Sequence, residues 1–220
     1  MIIRWLGHAS FLLETSKGVR IITDPFEPGS YSGAVGYPEI KDKADIVSIS
    51  HNHPDHSWMK VPGKPKYIKH PGTYPLEGLT VTGFLTHHDR HGGKDRGDNV
   101  LFRYDIDNIR IVHTGDLGHL LDEQLREKIG KIDILMMPVG GLYTLGPEEQ
   151  EEFVKSITPK VVIPMHYKTD YVDFPIEDAE RFLKTKERVF RLTVNEYEIY
   201  ANLLPKECTY VIFPPEFSGE

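Results

Sequence analysis

Ser50-His51-Asn52-His53-Pro54-Asp55-His56 is the stretch on which the fold turns. It directly follows the apolar run Ile46-Val47-Ser48-Ile49, so a cluster of histidines and a carboxylate sits in a loop leaving a strand. His51 and His53 are two residues apart, and an extended chain points both to one side. Asp55 and His56 come after Pro54, where the chain turns, and so face a neighbouring position. One short loop can therefore serve two adjacent cations. The competing reading is a polar surface loop with incidental histidines. It offers no reason to crowd mutually repelling imidazoles beside an acid.

Outward from this loop the same arrangement recurs. His88-Asp89 follows the run from Val81 to Leu85, Asp116 follows Ile109 to Gly115, and His166 follows Val161-Val162-Ile163-Pro164-Met165. Each time a buried-looking strand delivers a ligand-type residue at its C-terminal end, where α/β folds place their sites. Other strand-like runs are Ile2–Leu6, Ser10–Glu14, Val19–Thr23, Asp45–Ser50, Leu79–Phe84, Asn99–Ile106, Arg110–His113, Asp133–Met137, Lys160–Met165 and Tyr210–Phe213. Lys17-Gly18 and Asp107-Asn108 read as hairpin turns, because Gly and Asn tolerate positive φ. Helices are expected over His119–Ile129, Pro147–Ile157 and Ile176–Lys186, from apolar residues on one face and a proline followed by acids at a helix start. The fold class is α/β, in one domain over residues 1–220.

The bulk properties exclude several classes. With 220 residues, 39% hydrophobic and 27% charged, the chain reads as an ordinary globular protein with a substantial core. A net charge of -7 argues against long nucleic acid, which a broad basic surface would bind. Cys208 stands alone, which rules out an internal disulfide or a thiolate cluster and suits a reducing cytoplasm. No stretch approaches the roughly 18 apolar residues of a membrane span. The unusual count is 11 histidines.

These motifs resemble the metallo-β-lactamase-fold hydrolases over nearly the whole chain. His-x-His-x-Asp-His is complete at His51, His53, Asp55 and His56, and the later motifs look like His88, Asp116 in Thr114-Gly115-Asp116, and His166 in Pro164-Met165-His166-Tyr167. Gly7-His8-Ala9-Ser10-Phe11, Gly115-Asp116-Leu117-Gly118-His119 and Pro138-Val139-Gly140-Gly141 look most like a branch of uncharacterised zinc-dependent hydrolases. That branch is related to sugar-phosphate lactonases and lipid phosphodiesterases.

The resemblance implies a four-layer αββα sandwich with the metals where the two sheets meet. It implies that His51, His53 and His88 hold one metal, that Asp55, His56 and His166 hold a second, and that Asp116 bridges them. His87 adjoins His88, and His88 is chosen because it begins the His-Asp pair that the branch shows before its glycine-rich loop, here Gly92-Gly93. Asp24 resembles an aspartate that buttresses the site.

Two cations sharing a water would give a nucleophile near neutral pH, with Asp55 as ligand and proton carrier. All the donors are nitrogen and oxygen, which fits zinc and also admits manganese or iron. His8 and His119 either line the site or serve as hydrogen-bonded structural residues, and Tyr143 either meets the substrate or belongs to a tight turn. His113 reads as a satisfied strand residue, while His70, His87 and His91 read as loop residues. The stretch holding Arg90, His91, Lys94 and Arg96 is either a solvated loop or a rim that contacts an anionic substrate. Lys168 is either exposed or a phosphate or carboxylate contact, and the aromatic tail from Tyr210 to Phe217 is expected to pack on the sheet.

The leading function is hydrolysis of an ester-type bond in a small molecule, a lactone or a phosphodiester. Two other classes share the fold: a di-iron redox protein, and a non-catalytic metal-binding or interaction protein. The redox relatives carry a flavin domain and a carboxylate-richer ligand set, and neither is evident here. Nothing in the residues fixes an oligomeric state.

Overall fold

A computed structural model describes residues 1–214. The chain opens with β1 (Ile2–Gly7), β2 (Ser10–Glu14) and β3 (Arg20–Thr23), an antiparallel meander, and continues into β4 (Ala44–Ser48) and β5 (Gly63–Ile68). Then come β6 (Gly72–Leu76), β7 (Leu79–His87), β8 (Asp98–Ile106) and β9 (Ile109–His113), again antiparallel neighbours. From there strands alternate with helices: α1 (Glu123–Ile129), β10 (Ile134–Pro138), α2 (Pro147–Ile157), β11 (Val161–Met165) and α3 (Ala179–Leu183). Three short strands finish the chain: β12 (Val189–Arg191), β13 (Tyr197–Glu198) and β14 (Thr209–Ile212).

Two sheets result, ordered β13-β1-β2-β3-β4-β5 and β12-β14-β11-β10-β9-β8-β7-β6. The architecture is the mixed α/β sandwich expected from the sequence. Its helices are few, and among the described residues all three α-helices lie in crossovers of the larger sheet. The strands β10 and β11 are buried at every residue, as befits parallel strands covered on both faces. The sheets are joined through buried contacts. Ser48 and Tyr104 share a hydroxyl hydrogen bond at 2.6 Å, His113 Nε2 donates to Ala9 O at 2.7 Å, and Phe11 meets Phe213 edge-on at 6.1 Å. Both turns expected at positive φ take it, with Gly18 at 80°, Asp107 at 49° and Asn108 at 61°.

Strand direction positions the site. In the smaller sheet β1 and β3 are both antiparallel to β2, and β4 runs parallel to β3, so β1, β3 and β4 point the same way. In the larger sheet β7 and β9 are both antiparallel to β8, and β10 and β11 run parallel to β9. His8, Asp24, the 51–56 loop, His88, Asp116, Tyr143 and His166 all follow C-terminal ends of these strands.

Several elements differ from expectation. The strands β5, β6, β12 and β13 carry no clear sequence signal; β5 and β6 are exposed at alternate or successive positions. The first helix starts at Glu123 and not at His119, because Asp122 caps it by accepting from Leu125 N. The third runs only from Ala179 to Leu183, with Asp178 capping its start in the same way. His87 is the last residue of β7 and not a loop residue. Of the aromatic tail, Tyr210 packs edge-on against Phe182 at 5.7 Å, and positions 215–217 lie outside the described residues.

Candidate metal centre

His8, Asp24 and His166 each stand one residue past a strand end at positive φ: 52°, 37° and 49°. Side chains with a Cβ rarely take that region, and such strain collects where a fold must aim a functional group. Hydrogen bonds hold these turns. The His8 carbonyl accepts from the Trp5 indole at 3.0 Å and from His166 N at 3.2 Å, tying the ends of β1 and β11 together.

Asp24 is the organiser. Its carboxylate accepts from Ser50 N at 2.7 Å, from Ser50 Oγ at 2.5 Å and from His56 Nδ1 at 2.9 Å. Because Ser50 Oγ donates its proton to Asp24, His51 Nδ1, 2.8 Å away, donates to Ser50 Oγ. Both imidazoles thus carry a proton on Nδ1 and aim Nε2 elsewhere, the orientation that suits a metal ligand once Nε2 is deprotonated. These two Nε2 atoms are buried and have no hydrogen-bond partner.

They face Asp116. Its carboxylate lies 3.4 Å from His56 Nε2, 3.9 Å from His51 Nε2, 3.1 Å from His88 Nε2 and 3.3 Å from His166 Nε2. Two groups of donors flank it. The ligand atoms of His51, His53 and His88 lie within 4.8 Å of one another, as do those of His8, Asp55, His56 and His166. Asp116 is aimed by the fully buried Asn99, whose amide donates to Thr86 Oγ1 and Thr114 O while its Oδ1 accepts from Asp116 N.

The electrostatics follow from this crowding. Burial pushes the His51 imidazole down to about 3 and His8 down to about 4, with neighbouring histidines adding to the effect. His56 goes the other way: burial opposes its charge, but Asp116, Asp55 and Asp24 outweigh it and hold the ring well above its usual range. Burial would raise Asp55 and Asp116, yet the surrounding imidazoles keep both carboxyls well below theirs. The pocket therefore holds ionised carboxylates among histidines, with buried Nε2 atoms of His51 and His56 and Oδ1 of Asp116 lacking partners. Orphaned buried polar atoms in such number call for an ion. The donors present fit a divalent cation that accepts nitrogen and oxygen ligands.

Most residues expected from the sequence come together here, and some do not. His88 faces Asp116, whereas His87 turns outward and pairs with Asp98 at 3.1 Å. His8 reaches Asp55 Oδ2 at 3.1 Å. His119 does not line the cavity: its Nε2 accepts from His87 N and its Nδ1 donates to Leu120 O, which steadies the strand end beside His88. Tyr143 does both things considered for it, lying in a tight turn closed by Thr144 N on Gly141 O and lining the cavity. Lys168 is engaged by Asp173 at 3.2 Å and Phe174 O at 3.3 Å. Sequence reasoning missed Tyr31 and Phe174, which wall the cavity edge-to-face at 5.4 Å, and Ser50 and Asn99, which orient the ligands. A polar Asn99 heading the apolar run Val100-Leu101-Phe102 was the one available signal, since a buried amide must find partners.

Comparison with known proteins agrees with this geometry. Residues 2–166 match the family described as the beta-lactamase superfamily domain. A UPF0173 metal-dependent hydrolase of Archaeoglobus fulgidus is 31% identical over 215 residues, 84% of this chain and 90% of that protein. One from Methanoculleus marisnigri is 31% identical over the whole of both chains. A solved Thermotoga maritima protein, described as a candidate Zn-dependent hydrolase of the metallo-beta-lactamase superfamily, is 38% identical with a TM-score of 0.80, covering 96% of this chain and 97% of its own. The chain belongs to the metallo-β-lactamase superfamily, within its UPF0173 metal-dependent hydrolase family.

Proposed function

We propose that this metal-dependent hydrolase works with a binuclear centre, most suitably zinc, and cuts an ester-type bond, a lactone or a phosphodiester, in a small molecule. The observation that carries the reading is the pair of donor groups on either side of Asp116, with His51 Nε2 and His56 Nε2 buried and unpartnered between them. His51, His53 and His88 would hold one cation, and Asp55, His56 and His166 the other, with Asp116 between. The donor chemistry also admits manganese or iron. The relatives' description as metal-dependent hydrolases, and the Thermotoga neighbour's as Zn-dependent, support the class.

Bound in pairs, such cations supply a water activated near neutral pH and polarise the oxygen of the scissile bond. The chain's own residues do the rest. Asp55 borders the cavity and is fixed from two sides, by His8 on Oδ2 at 3.1 Å and by the Tyr31 hydroxyl donating to Oδ1 at 3.3 Å. Burial and the neighbouring Asp55 push the Tyr31 phenol up, so it stays protonated and remains a donor. Held there, Asp55 can accept a proton from the attacking water and return it to the leaving group. A cavity of about 320 Å³, walled by Tyr31, Tyr143 and Phe174, suits a small substrate. A chain with one cysteine, and no helix among the described residues long and apolar enough to cross a membrane, fits work in a reducing cytoplasm.

The test is a panel of aryl esters, lactones and bis(4-nitrophenyl) phosphate with the zinc- or manganese-loaded protein, beside Asp55→Asn. Turnover of at least one class, reduced by roughly 10²- to 10⁴-fold in the variant, is expected. Undetectable turnover throughout with the metal bound would contradict the reading.

A further inference from the structure

The loop from Asp89 to Asp98 borders the metal centre and carries the cations Arg90, Lys94 and Arg96. Their fates differ. Arg90 is paired with Glu149 at 2.6 Å, facing away from the cavity lining. Arg96 is the one lysine or arginine that lines the cavity beside His53, His88 and Asp116. Its guanidinium lies over the Tyr143 ring at 4.7 Å and forms no ion pair among the described residues. Asp95, which lines the same cavity, pairs with His91, and Asp98 pairs with His87. Arg96 also borders a second cavity of about 530 Å³, which shares His53 and adds Lys69.

The placement is built and not incidental. Asp89 accepts from four backbone amides of the loop: His91 N at 2.7 Å, and Gly93, Asp95 and Arg96 N at 2.9 Å each. The last of these bonds fixes the Arg96 backbone to Asp89, which directly follows His88. The Tyr143 ring 4.7 Å from the guanidinium carbon restrains the side chain by a cation–π contact, which leaves its N–H groups to meet a planar anion.

We propose that Arg96 reads an anionic group on the substrate, separate from the bond that is cut, with the connecting part resting against Tyr31, Tyr143 and Phe174. This rests on the hydrolase reading for what the metals do, and adds the substrate class: a carboxylate- or phosphate-bearing ester or lactone. A charge-assisted bidentate bond to such a group is worth about tenfold or more in affinity.

The experiment is calorimetric titration of the metal-loaded protein with glutarate and with butyrate, which differ in the distal carboxylate alone. In the wild type glutarate should bind at least about tenfold more tightly. Arg96→Gln should abolish that preference and Arg96→Lys restore part of it, while Arg90→Gln keeps it and all four proteins hold the same metal content. A third ligand, 4-phosphonobutyrate, tells a carboxylate from a phosphate substrate by which distal group binds more tightly. Equal binding of glutarate and butyrate by the wild type, or a preference that survives Arg96→Gln, would overturn the proposal. Absence of any ester turnover with the Arg96-dependent preference intact would instead contradict the hydrolase reading and leave the anion site standing.

Discussion

His56 Nδ1 donates to Asp24 Oδ2 at 2.9 Å, and that one bond decides which nitrogen His56 offers to the cavity. Asp24 is completely buried and also grips Ser50 twice, so it fixes two candidate ligands, His51 and His56. Asp24→Asn keeps the shape but puts donors where acceptors are needed. Metal affinity, measured by chelator competition, should fall about 10- to 100-fold. Unchanged affinity would mean that the tautomers are set by something other than Asp24.

Gly115 precedes Asp116 at φ 55°, and a Cβ there would lie 2.3 Å from Asn99 Oδ1 and 2.6 Å from Ser50 Cβ. Neither neighbour can give way without disturbing Asp116 or the Asp24 network. Gly115→Ala should cost roughly 2–4 kcal/mol in urea unfolding, from overpacking and from the left-handed backbone together. A loss under about 0.5 kcal/mol, the range of ordinary surface changes, would show that the close approach is not needed.

Desolvation works to raise the Asp89 carboxyl, but the four backbone amides on it together outweigh that and hold it well below the usual carboxylate range. A carboxyl depressed in the folded state adds stability that is complete above its unfolded value of about 4 and disappears as pH falls further. Asp89→Asn should therefore melt below the wild type at pH 7, and the gap in melting temperature should narrow as pH is lowered through 4. A gap independent of pH would assign the loss to shape and not to charge.

His8 meets Asp55 Oδ2 at 3.1 Å and so steadies that carboxylate from one side. His8→Ala should lower kcat on the best ester about tenfold while the protein keeps its metal, and His8→Gln should recover part of the loss by restoring a donor. Loss of metal in His8→Ala would make it a metal ligand, a role its place among Asp55, His56 and His166 also permits.

Much of this was legible in the chain because ligands and strands share a pattern. An apolar run followed at once by His or Asp identifies both the strand and its contribution to the site, as in Val161-Val162-Ile163-Pro164-Met165-His166. The edge strands β5 and β6 were not legible: Gly63-Lys64-Pro65-Lys66 and Gly72-Thr73-Tyr74-Pro75 face solvent at most positions and lack the apolar content that marks a covered strand. Tyr31 and Phe174 were invisible for another reason. They come from irregular segments after β3 and β11, and only tertiary packing brings their rings together at 5.4 Å. Periodicity begins the first helix too early, at His119, because the spacing of Leu121, Leu125 and Ile129 does not show where Asp122 caps it, and the His119 ring bonds His87 N and Leu120 O outside the helix.

Elemental analysis of the purified protein, beside His51→Ala and His166→Ala, addresses the centre itself. Two equivalents of a divalent metal are expected in the wild type. Each variant should retain about one, because each removes a ligand from a different group on either side of Asp116. A wild type that binds no metal after incubation with zinc, manganese and iron, or variants that keep the full complement, would contradict the binuclear site.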